Sequence, residues 1–255
     1  MAYRELLPHR ALRLFVDRYW LRSPETRIPA QSAEARILPD GCIDVIYDLG
    51  EVPSARAVGT MTRAVVVETR STGWLVGIRF RPGTAAPFLG TPASALTDSV
   101  VPLGDLGGCW PCVTEAKPLT LLSELELCLL ARLQTLPGRD RRLAHAIRSL
   151  VGESPPAVAA LAGELGWTRQ HLGRAFRREV GIGPKEFGRV VRLQRAMDQI
   201  TNNPAIPLAR AAQELGYFDQ AHMARDFREL AGITALEART AAGSIFPIPS
   251  LWREA

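Results

Sequence analysis

The sequence is poor in cysteine and lysine and has no long apolar run. It contains four Cys among 255 residues, and only two of its 31 cationic side chains are Lys. No stretch approaches the roughly 18 apolar residues of a membrane span, and the start Met1–Glu5 lacks the apolar core of a secretion signal. We therefore expect a cytoplasmic protein with reduced thiols and no membrane partner, rather than a secreted disulfide framework.

Sequence motifs of catalysis are missing as well. There is no phosphate-binding P-loop, no Gly-x-Gly-x-x-Gly fingerprint and no recognisable Ser/His/Asp arrangement. The apolar and charged fractions, 47% and 22%, are those of an ordinary globular protein with room for two domains. These features predict a protein that is not an enzyme and that carries no cofactor.

Positive charge is concentrated in the second half of the chain. Residues 1–137 contain 14 basic and 14 acidic side chains, whereas residues 138–255 contain 17 basic and 12 acidic ones. Within Thr168–Arg195 two acidic residues accompany eight basic ones, namely Arg169, Arg174, Arg177, Arg178, Lys185, Arg189, Arg192 and Arg195. A cluster this local indicates a polyanionic partner, although a solvated helix face would also explain the charges taken alone.

Residues 161–239 contain one pattern twice. Glu164-Leu165-Gly166 recurs as Glu214-Leu215-Gly216, 50 positions later. After the turn the offset becomes 51, and it relates His171, Leu172, Arg174, Phe176, Gly181 and Ile182 to His222, Met223, Arg225, Phe227, Gly232 and Ile233. Each copy predicts a short helix, a Gly-centred turn and a second helix that carries Arg, which is the pattern of a helix-turn-helix. Thr168 and Asp219 are the expected N-caps of the two second helices, Gly181 is expected to close the first, and a long connecting helix is expected from Pro184.

The second helix of each copy has an apolar stripe and a polar face. Leu172 and Phe176 form the stripe in the first copy, and Met223 and Phe227 form it in the second. The residues predicted to face double-stranded DNA are Arg169, Gln170, Gly173, Arg174, Arg177 and Arg178 in the first copy, and Gln220, Ala221, Ala224, Arg225 and Arg228 in the second. We expect Gln170 and Arg174 to read base edges, and Arg177 and Arg178 to contact phosphates.

The second copy also carries a recognisable signature. It consists of Gly216-Tyr217, Asp219-Gln220, Arg225-Asp226-Phe227 and Gly232-Ile233-Thr234. On these residues the region 140–240 resembles the DNA-binding domain of the AraC/XylS family of transcription regulators, and it departs at Ala235, where the family usually has Pro. The resemblance implies two helix-turn-helix units joined by one long helix, with both recognition helices in successive major-groove segments. RNA polymerase and a second copy of the chain are further partners to expect.

The N-terminal half alternates at period two, as in Ile43, Val45 and Tyr47. The segments Tyr19-Trp20, Leu38–Asp44, Val76–Gly83 and Leu96–Asp98 resemble DUF6597 domains, which implies a small β-rich, cupin-like module that senses a ligand or mediates assembly. An unknown small-molecule effector would be held by an aromatic and charged cluster of Trp20, Asp40, Asp44, Trp74 and Arg79. A barrel core with surface ion pairs explains the same residues.

Two further features admit two interpretations each. Cys109 and Cys112 have a spacing that suits a soft metal or a dithiol switch, but a zinc site would need two more ligands, and incidental cysteines remain the alternative. The Leu-rich segment Leu119–Leu136 predicts a helix that packs either inside the domain or against a partner copy.

The sequence as a whole predicts an α+β chain in which a β-rich domain precedes an all-helical double helix-turn-helix. Residues 1–137 are predicted to form the sensor or dimerisation domain, 138–240 the DNA-binding domain, and 241–255 a C-terminal tail. The predicted function is sequence-specific regulation of transcription, with activation and repression both open. A thiol- or metal-responsive sensor whose output is DNA binding is the alternative.

Overall fold

The computed structural model describes residues 3–24, 34–68, 72–108, 110–113, 117–136 and 138–240. Two features predicted from the sequence, Cys109 and the tail 241–255, lie outside these residues. Along the described chain, strands dominate as far as Pro102 and helices follow from Pro118. This order confirms the predicted fold class, in which a β-rich region precedes an all-helical one.

The N-terminal region is built on antiparallel strands. Those in the described residues are β1 Tyr3–Leu6, β2 Val16–Arg22, β3 Glu34–Ile37, β4 Ile43–Asp48, β5 Ser54–Val58, β6 Val65–Glu68, β7 Leu75–Phe80 and β8 Val100–Pro102. Six of them form one sheet in the order β1-β2-β7-β4-β5-β8, and β3 pairs with β6 in a separate ribbon. The centre of the sheet is therefore β7, flanked by β2 and β4.

Burial explains which strands the sequence revealed. In β4, Ile43, Val45 and Tyr47 are buried on one face, as the alternation predicts. In β2 all seven residues are buried, so the sequence shows no alternation. Between β1 and β2 the chain makes one 3-10 turn, Arg10–Leu12.

The Leu-rich helix packs on this sheet. After the short helix α1, Ala86–Leu89, helix α2 spans Pro118–Leu133. Leu121, Leu122, Leu125 and Leu129 of α2 are buried in one apolar cluster with the sheet. Intramolecular packing therefore accounts for one side of α2, while Leu119 and Leu127 are exposed. A partner copy on that exposed side stays a prediction.

The helical region has two cores joined by one long helix. Its helices are α3 Arg141–Val151, α4 Val158–Glu164, α5 Arg169–Val180, α6 Pro184–Asn202, α7 Leu208–Glu214, α8 Gln220–Asp226 and α9 Ala235–Thr240, with a π turn, Phe227–Ala231, after α8. The first part of α6 contributes Phe187 and Val190 to one apolar cluster, and Met197 and Ile200 belong to the other. No helix of the described residues is both long and apolar enough to cross a membrane.

The departure from the family pattern at Ala235 has a local compensation. The backbone N and Oγ1 of Thr234 donate to Glu237 Oε2 at 2.6 and 2.9 Å, and Glu237 N donates to Thr234 Oγ1 at 3.1 Å. Such a reciprocal capping box satisfies the free N–H groups at the start of a helix. Helix α9 therefore begins at Ala235 without a proline.

Candidate nucleic-acid interface

Both ends of α5, the second helix of the first unit, follow from specific residues. Thr168 caps the N-terminus, because its side chain accepts from His171 N at 3.1 Å. Gly166 in the preceding turn and Gly181 after the helix have φ values of 66° and 96°, in the left-handed region that favours glycine. The predicted cap, turn and C-terminal Gly are all confirmed.

Helix α5 has a buried and an exposed side. Leu172, Phe176 and Val180 are almost fully buried in the first apolar cluster. Arg169, Gln170, Arg174 and Arg177 are exposed. In the described part of the chain, Arg178 is the one cation of α5 that forms an ion pair, with Glu179 at 2.7 Å. The other three arginines of α5 are therefore not neutralised by a carboxylate of the described residues.

Two residues predicted for this face have different environments. Gly173 is buried rather than projecting outward, because it has no side chain and Arg177 lies over it, with Nη1 3.7 Å from where a Cβ would be. Arg178 follows Arg177 directly, and consecutive residues of an α-helix point about 100° apart. Arg178 faces a cavity beside the N-terminal region, together with Arg174. Arg177 and Arg178 therefore point in different directions, and phosphate contact by both of them stays a prediction.

Helix α8 of the second unit repeats this design. Asp219 caps it by accepting from His222 N at 2.6 Å, and Met223 and Phe227 form the buried stripe. Of the predicted DNA-facing residues, Gln220, Ala221, Arg225 and Arg228 are exposed and Ala224 is half-buried. Both units therefore present an exposed Gln and an exposed Arg; Arg174 and Arg225 are equivalent in the repeat, whereas the residue equivalent to Gln170 is Ala221.

Two acidic residues of the second unit form ion pairs with an arginine of α6. Arg189 of α6 donates through Nη2 to Asp226 Oδ1 at 2.7 Å and to Glu229 Oε2 at 2.5 Å. Asp226 is buried. Burial lowers the pKa of Arg189, but the hydrogen bonds to Glu229 and Asp226 raise that pKa by more, so the net shift is upward. These carboxylates neutralise a structural arginine instead of offsetting Arg225.

Other members of the basic cluster are also used internally. Arg192 lies over the ring of Tyr217, 4.7 Å from its centroid, and donates to Gly216 O at 3.3 Å. Arg195 donates to the carbonyl oxygen of Val151. Of the eight basic residues, Arg189, Arg192 and Arg195 thus hold the helices together. On α5, Arg169, Arg174 and Arg177 have no carboxylate partner in the described residues and are available to an anion.

The N-terminal region binds the end of α5. Thr60 Oγ1 donates to Val180 O at 2.5 Å, and Thr97 Oγ1 donates to Gly181 O at 2.8 Å. Carbonyls in the last turn of a helix lack intrahelical partners. Side chains from the β-rich region therefore complete the C-terminus of the first recognition helix.

The same region also binds the end of the second unit. Arg36 Nη1, from β3, donates to Ala231 O at 3.1 Å, and Ala64 N, beside β6, donates to Leu230 O at 2.7 Å. Ala231 lies 51 positions after Val180, so the contacts meet equivalent sites of the repeat. Both recognition helices are consequently held at their C-terminal ends by one domain.

Four of the five residues predicted to hold an effector lie together. Trp20 Nε1 donates to Asp44 Oδ1 at 3.2 Å, Arg79 Nη2 donates to Asp44 Oδ2 at 3.1 Å, and Arg79 Nη1 lies 3.3 Å from Asp40 Oδ2. Burial raises the pKa of Asp40, although Arg79 opposes the shift. Trp74 is not part of this cluster, because it packs against the apolar core on the opposite face of the sheet.

The cluster supports a loop that contacts α6. Asp40 Oδ1 accepts from Cys42 N at 2.9 Å, and between them Gly41 has a φ of 76°. A Cβ at Gly41 would lie 2.6 Å from Phe187 Cε2, so the loop approaches α6 closely. Gln194 Nε2 of α6 donates to Pro39 O at 2.6 Å. This geometry favours a structural role for Asp40 and Arg79 at the domain contact, and their effector role stays a prediction.

The candidate thiol pair is only partly described. Cys112 is exposed, whereas Cys109 lies outside the described residues. Within the described residues no group of three or more His, Cys, Asp or Glu is arranged to hold a metal. The dithiol or metal role of Cys109 and Cys112 therefore stays a hypothesis, which thiol titration with and without added metal would test.

Two family models match the chain at the two regions described above. Residues 4–102 match the domain of unknown function DUF6597, and residues 161–241 match a helix-turn-helix domain. The fold and the interface are those of a double helix-turn-helix protein. More particularly, the chain combines a DUF6597 domain with a helix-turn-helix domain of the AraC type.

Solved structures of AraC-type proteins are among the similar ones. A probable AraC family regulator from Rhodopseudomonas palustris CGA009 is 25% identical, with 40% of this chain and 98% of that chain covered and a TM-score of 0.36. An AraC-type regulator from Chromobacterium violaceum is 23% identical, with coverages of 40% and 91% and a TM-score of 0.36. ToxT from Vibrio cholerae O395 is 11% identical, with coverages of 82% and 96% and a TM-score of 0.41. No curated protein matches the chain.

Proposed function

We propose that the chain regulates transcription by inserting α5 and α8 into successive major-groove segments of double-stranded DNA. One observation carries this proposal. Two helices that are equivalent in sequence both start at a side-chain cap and present exposed Gln and Arg, which are Gln170 and Arg174 in α5 and Gln220 and Arg225 in α8. None of the four pairs with a carboxylate in the described residues. Arg225 Nε donates to Ala221 O at 3.4 Å, and its other N–H groups remain available for base edges.

The exposed residues divide into two roles in this proposal. Near the N-terminus of α5, Gln170 suits adenine and Arg174 suits guanine, because each offers two hydrogen bonds to one base. Later in α5 and in the π turn after α8, Arg177 and Arg228 neutralise phosphates, which adds affinity without sequence preference. Ala221 and Ala224 have small side chains, so they would allow the backbone to approach the groove closely.

A selected duplex and its scrambled version test sequence-specific binding. We would select duplexes from genomic DNA with the full chain, then measure affinity for the best one by fluorescence anisotropy at two salt concentrations. Specific reading predicts a preference of about a thousandfold or more over the scrambled sequence, and affinity that falls as salt rises. Equal affinity for both duplexes would leave only non-specific binding of a basic protein and would overturn the proposal.

We further infer that residues 1–137 control the reading domain, residues 138–240. Support comes from the four hydrogen bonds that the β-rich region makes to the ends of both recognition helices. A small-molecule effector, a second copy of the chain or RNA polymerase that shifts this region would change the relative placement of α5 and α8. Binding of a partner to residues 1–137 is then coupled to the DNA affinity of residues 138–240.

Threonine-to-valine variants of the full chain test this control. Thr60→Val combined with Thr97→Val removes both donors to the end of α5, and Thr120→Val, at an exposed position of α2, is the matched control. Without these hydrogen bonds the end of α5 is less ordered in the free protein and must become ordered when DNA binds. We therefore expect the affinity for the duplex to fall about three- to tenfold, while the control variant keeps its affinity. Unchanged affinity in the double variant would show that the contact does not influence reading.

A further inference from the structure

A cavity separates the β-rich region from the first helix-turn-helix unit. It has a volume of about 650 Å³ and is lined from both sides. Phe15 lies on the N-terminal side, Leu143 and Ile147 come from α3, and Ala175 comes from α5. Volumes of several hundred cubic ångströms are typical of sites for small organic molecules. The walls thus offer apolar surface to a ligand of that size.

The charges that remain unpaired in this cavity are positive. Arg139 and Arg174 both line it, and neither forms an ion pair within the described residues. The acids of the lining are already used: Glu179 binds Arg178, and Asp140 caps α3 by accepting from Arg142 N at 2.8 Å. An anion in the cavity would therefore meet two guanidinium groups that form no ion pair within the described residues.

Arg139 is the more enclosed of the two unpaired cations. Its Nη1 donates to Leu14 O at 3.3 Å, which leaves its other donors free. Burial lowers the pKa of Arg139, and the nearby charges of Arg148 and Arg81 lower it further. A negative group beside Arg139 would relieve this repulsion and replace the water that burial removes.

We propose that the cavity is a binding site for a small organic anion with an apolar body. The anionic group binds Arg139 and Arg174, and the apolar body packs against Phe15, Leu143 and Ile147. This site differs from the Trp20 and Asp44 cluster, whose polar groups bind one another. Carboxylates, sulfonates and phosphates share the chemistry that the two arginines recognise.

The site's effect on DNA rests on the proposed function. Arg174 lines the cavity and also belongs to the exposed face of α5. A ligand that engages Arg174 withdraws it from the major groove, so ligand and duplex weaken each other's binding by the same factor. The ligand site itself does not depend on this coupling, because Arg139 lies outside the residues proposed for DNA.

Fluorescence of 1-anilinonaphthalene-8-sulfonate tests the site on the full chain. This probe has an apolar body of three aromatic rings and one sulfonate, and we expect a single saturable site. Arg139→Gln should weaken binding about tenfold, the typical effect of losing a hydrogen bond to a charged group. Arg141→Gln, an exposed arginine of α3 outside the cavity, should leave binding unchanged. Equal affinity in wild type and Arg139→Gln would overturn the proposal.

A neutral probe and a filled cavity provide independent checks. N-phenyl-1-naphthylamine lacks the sulfonate and should bind at least about tenfold more weakly; equal binding would mean that the site does not select anions. Ala175→Phe fills the cavity and should abolish sulfonate binding, whereas Ala159→Phe, exposed on α4, should not. Thermal unfolding confirms that each variant is folded, and a folded Ala175→Phe that still binds the probe contradicts the assignment.

Duplex titration separates the site from the proposed function. If wild type binds the sulfonate but shows no preference for a selected duplex, the ligand site stands and DNA reading fails. If wild type prefers the selected duplex but the sulfonate does not bind at the cavity, DNA reading stands and the ligand site fails. When both bind, the probe should weaken duplex affinity in wild type, and the same effect in Arg139→Gln should need a probe concentration about tenfold higher.

Discussion

The two helix-turn-helix units have the same frame but use their charges differently. Thr168 and Asp219 cap α5 and α8, and α5 and the π turn after α8 each end before a glycine with positive φ. Glu229 occupies the position of Arg178, 51 residues later, and it pairs with Arg189 while more than half of its side chain stays exposed. The acidic residues of the second unit therefore stabilise the contact with α6. Net charge along a segment is a poor guide to the charge on its DNA-facing side.

The largest expected difference between the units concerns Arg189. Arg189→Met leaves Asp226 buried without a counter-charge, and breaking one side of a buried pair typically costs about 3 kcal/mol of unfolding free energy. Urea unfolding of the full chain measures this loss. The double variant Arg189→Met with Asp226→Leu should recover most of it, and Arg178→Met, in the exposed pair of the first unit, should cost less than about 1 kcal/mol. Similar losses for the two single variants would contradict the contrast.

A second comparison uses equivalent arginines in the two recognition helices. Arg174→Ala and Arg225→Ala should each cost roughly 1–3 kcal/mol of binding free energy, at base positions about one helical turn apart. Affinity for single-base variants of the best duplex measures where each loss falls. Loss of discrimination only with Arg174→Ala would mean that the second unit does not read bases.

The helix caps should behave alike in the two units. Thr168→Ala and Asp219→Ala each remove the acceptor for a backbone N–H and should lower the unfolding free energy by about 1 kcal/mol. Thr168→Ser and Asp219→Asn keep an acceptor and serve as controls, with losses close to zero. A loss confined to one unit would show that the frames are not equivalent.

The smallest effects are expected at the phosphate positions. Arg177→Ala and Arg228→Ala, 51 residues apart, should each reduce the slope of log affinity against log salt by about one, on every sequence. Arg178→Ala should change the slope less, because Arg178 faces the cavity and binds Glu179. Equal slopes for Arg177→Ala and Arg178→Ala would instead support the prediction that both residues contact phosphates.

The sequence predicted the features that depend on local chemistry. The caps Thr168 and Asp219, the final glycines and the long helix that starts at Pro184 are set by residues within one or two turns, and all were confirmed. The repeat made the prediction of a helix-turn-helix more specific, because the same weak local pattern occurs twice. Side-chain direction around α5 was harder, since Gly173 and Arg178 lie close to the edge between the buried and exposed faces.

Features that depend on distant contacts were not predictable. The strand β2 shows no alternation because both of its faces are covered. Trp74 and Arg79 are close in sequence but lie on opposite faces of the sheet. The hydrogen bonds of Thr60, Thr97 and Arg36 to the recognition helices join residues 84 to 195 positions apart, and no local pattern marks them.

Protection of guanine N7 from methylation on the best duplex tests the central claim most directly. Guanine N7 lies in the major groove, where both helices are proposed to bind. With the full chain bound, the account predicts two protected segments separated by about one helical turn, roughly 34 Å, on one face of the DNA. Protection of a single segment would contradict it, because the second unit would then not enter the groove.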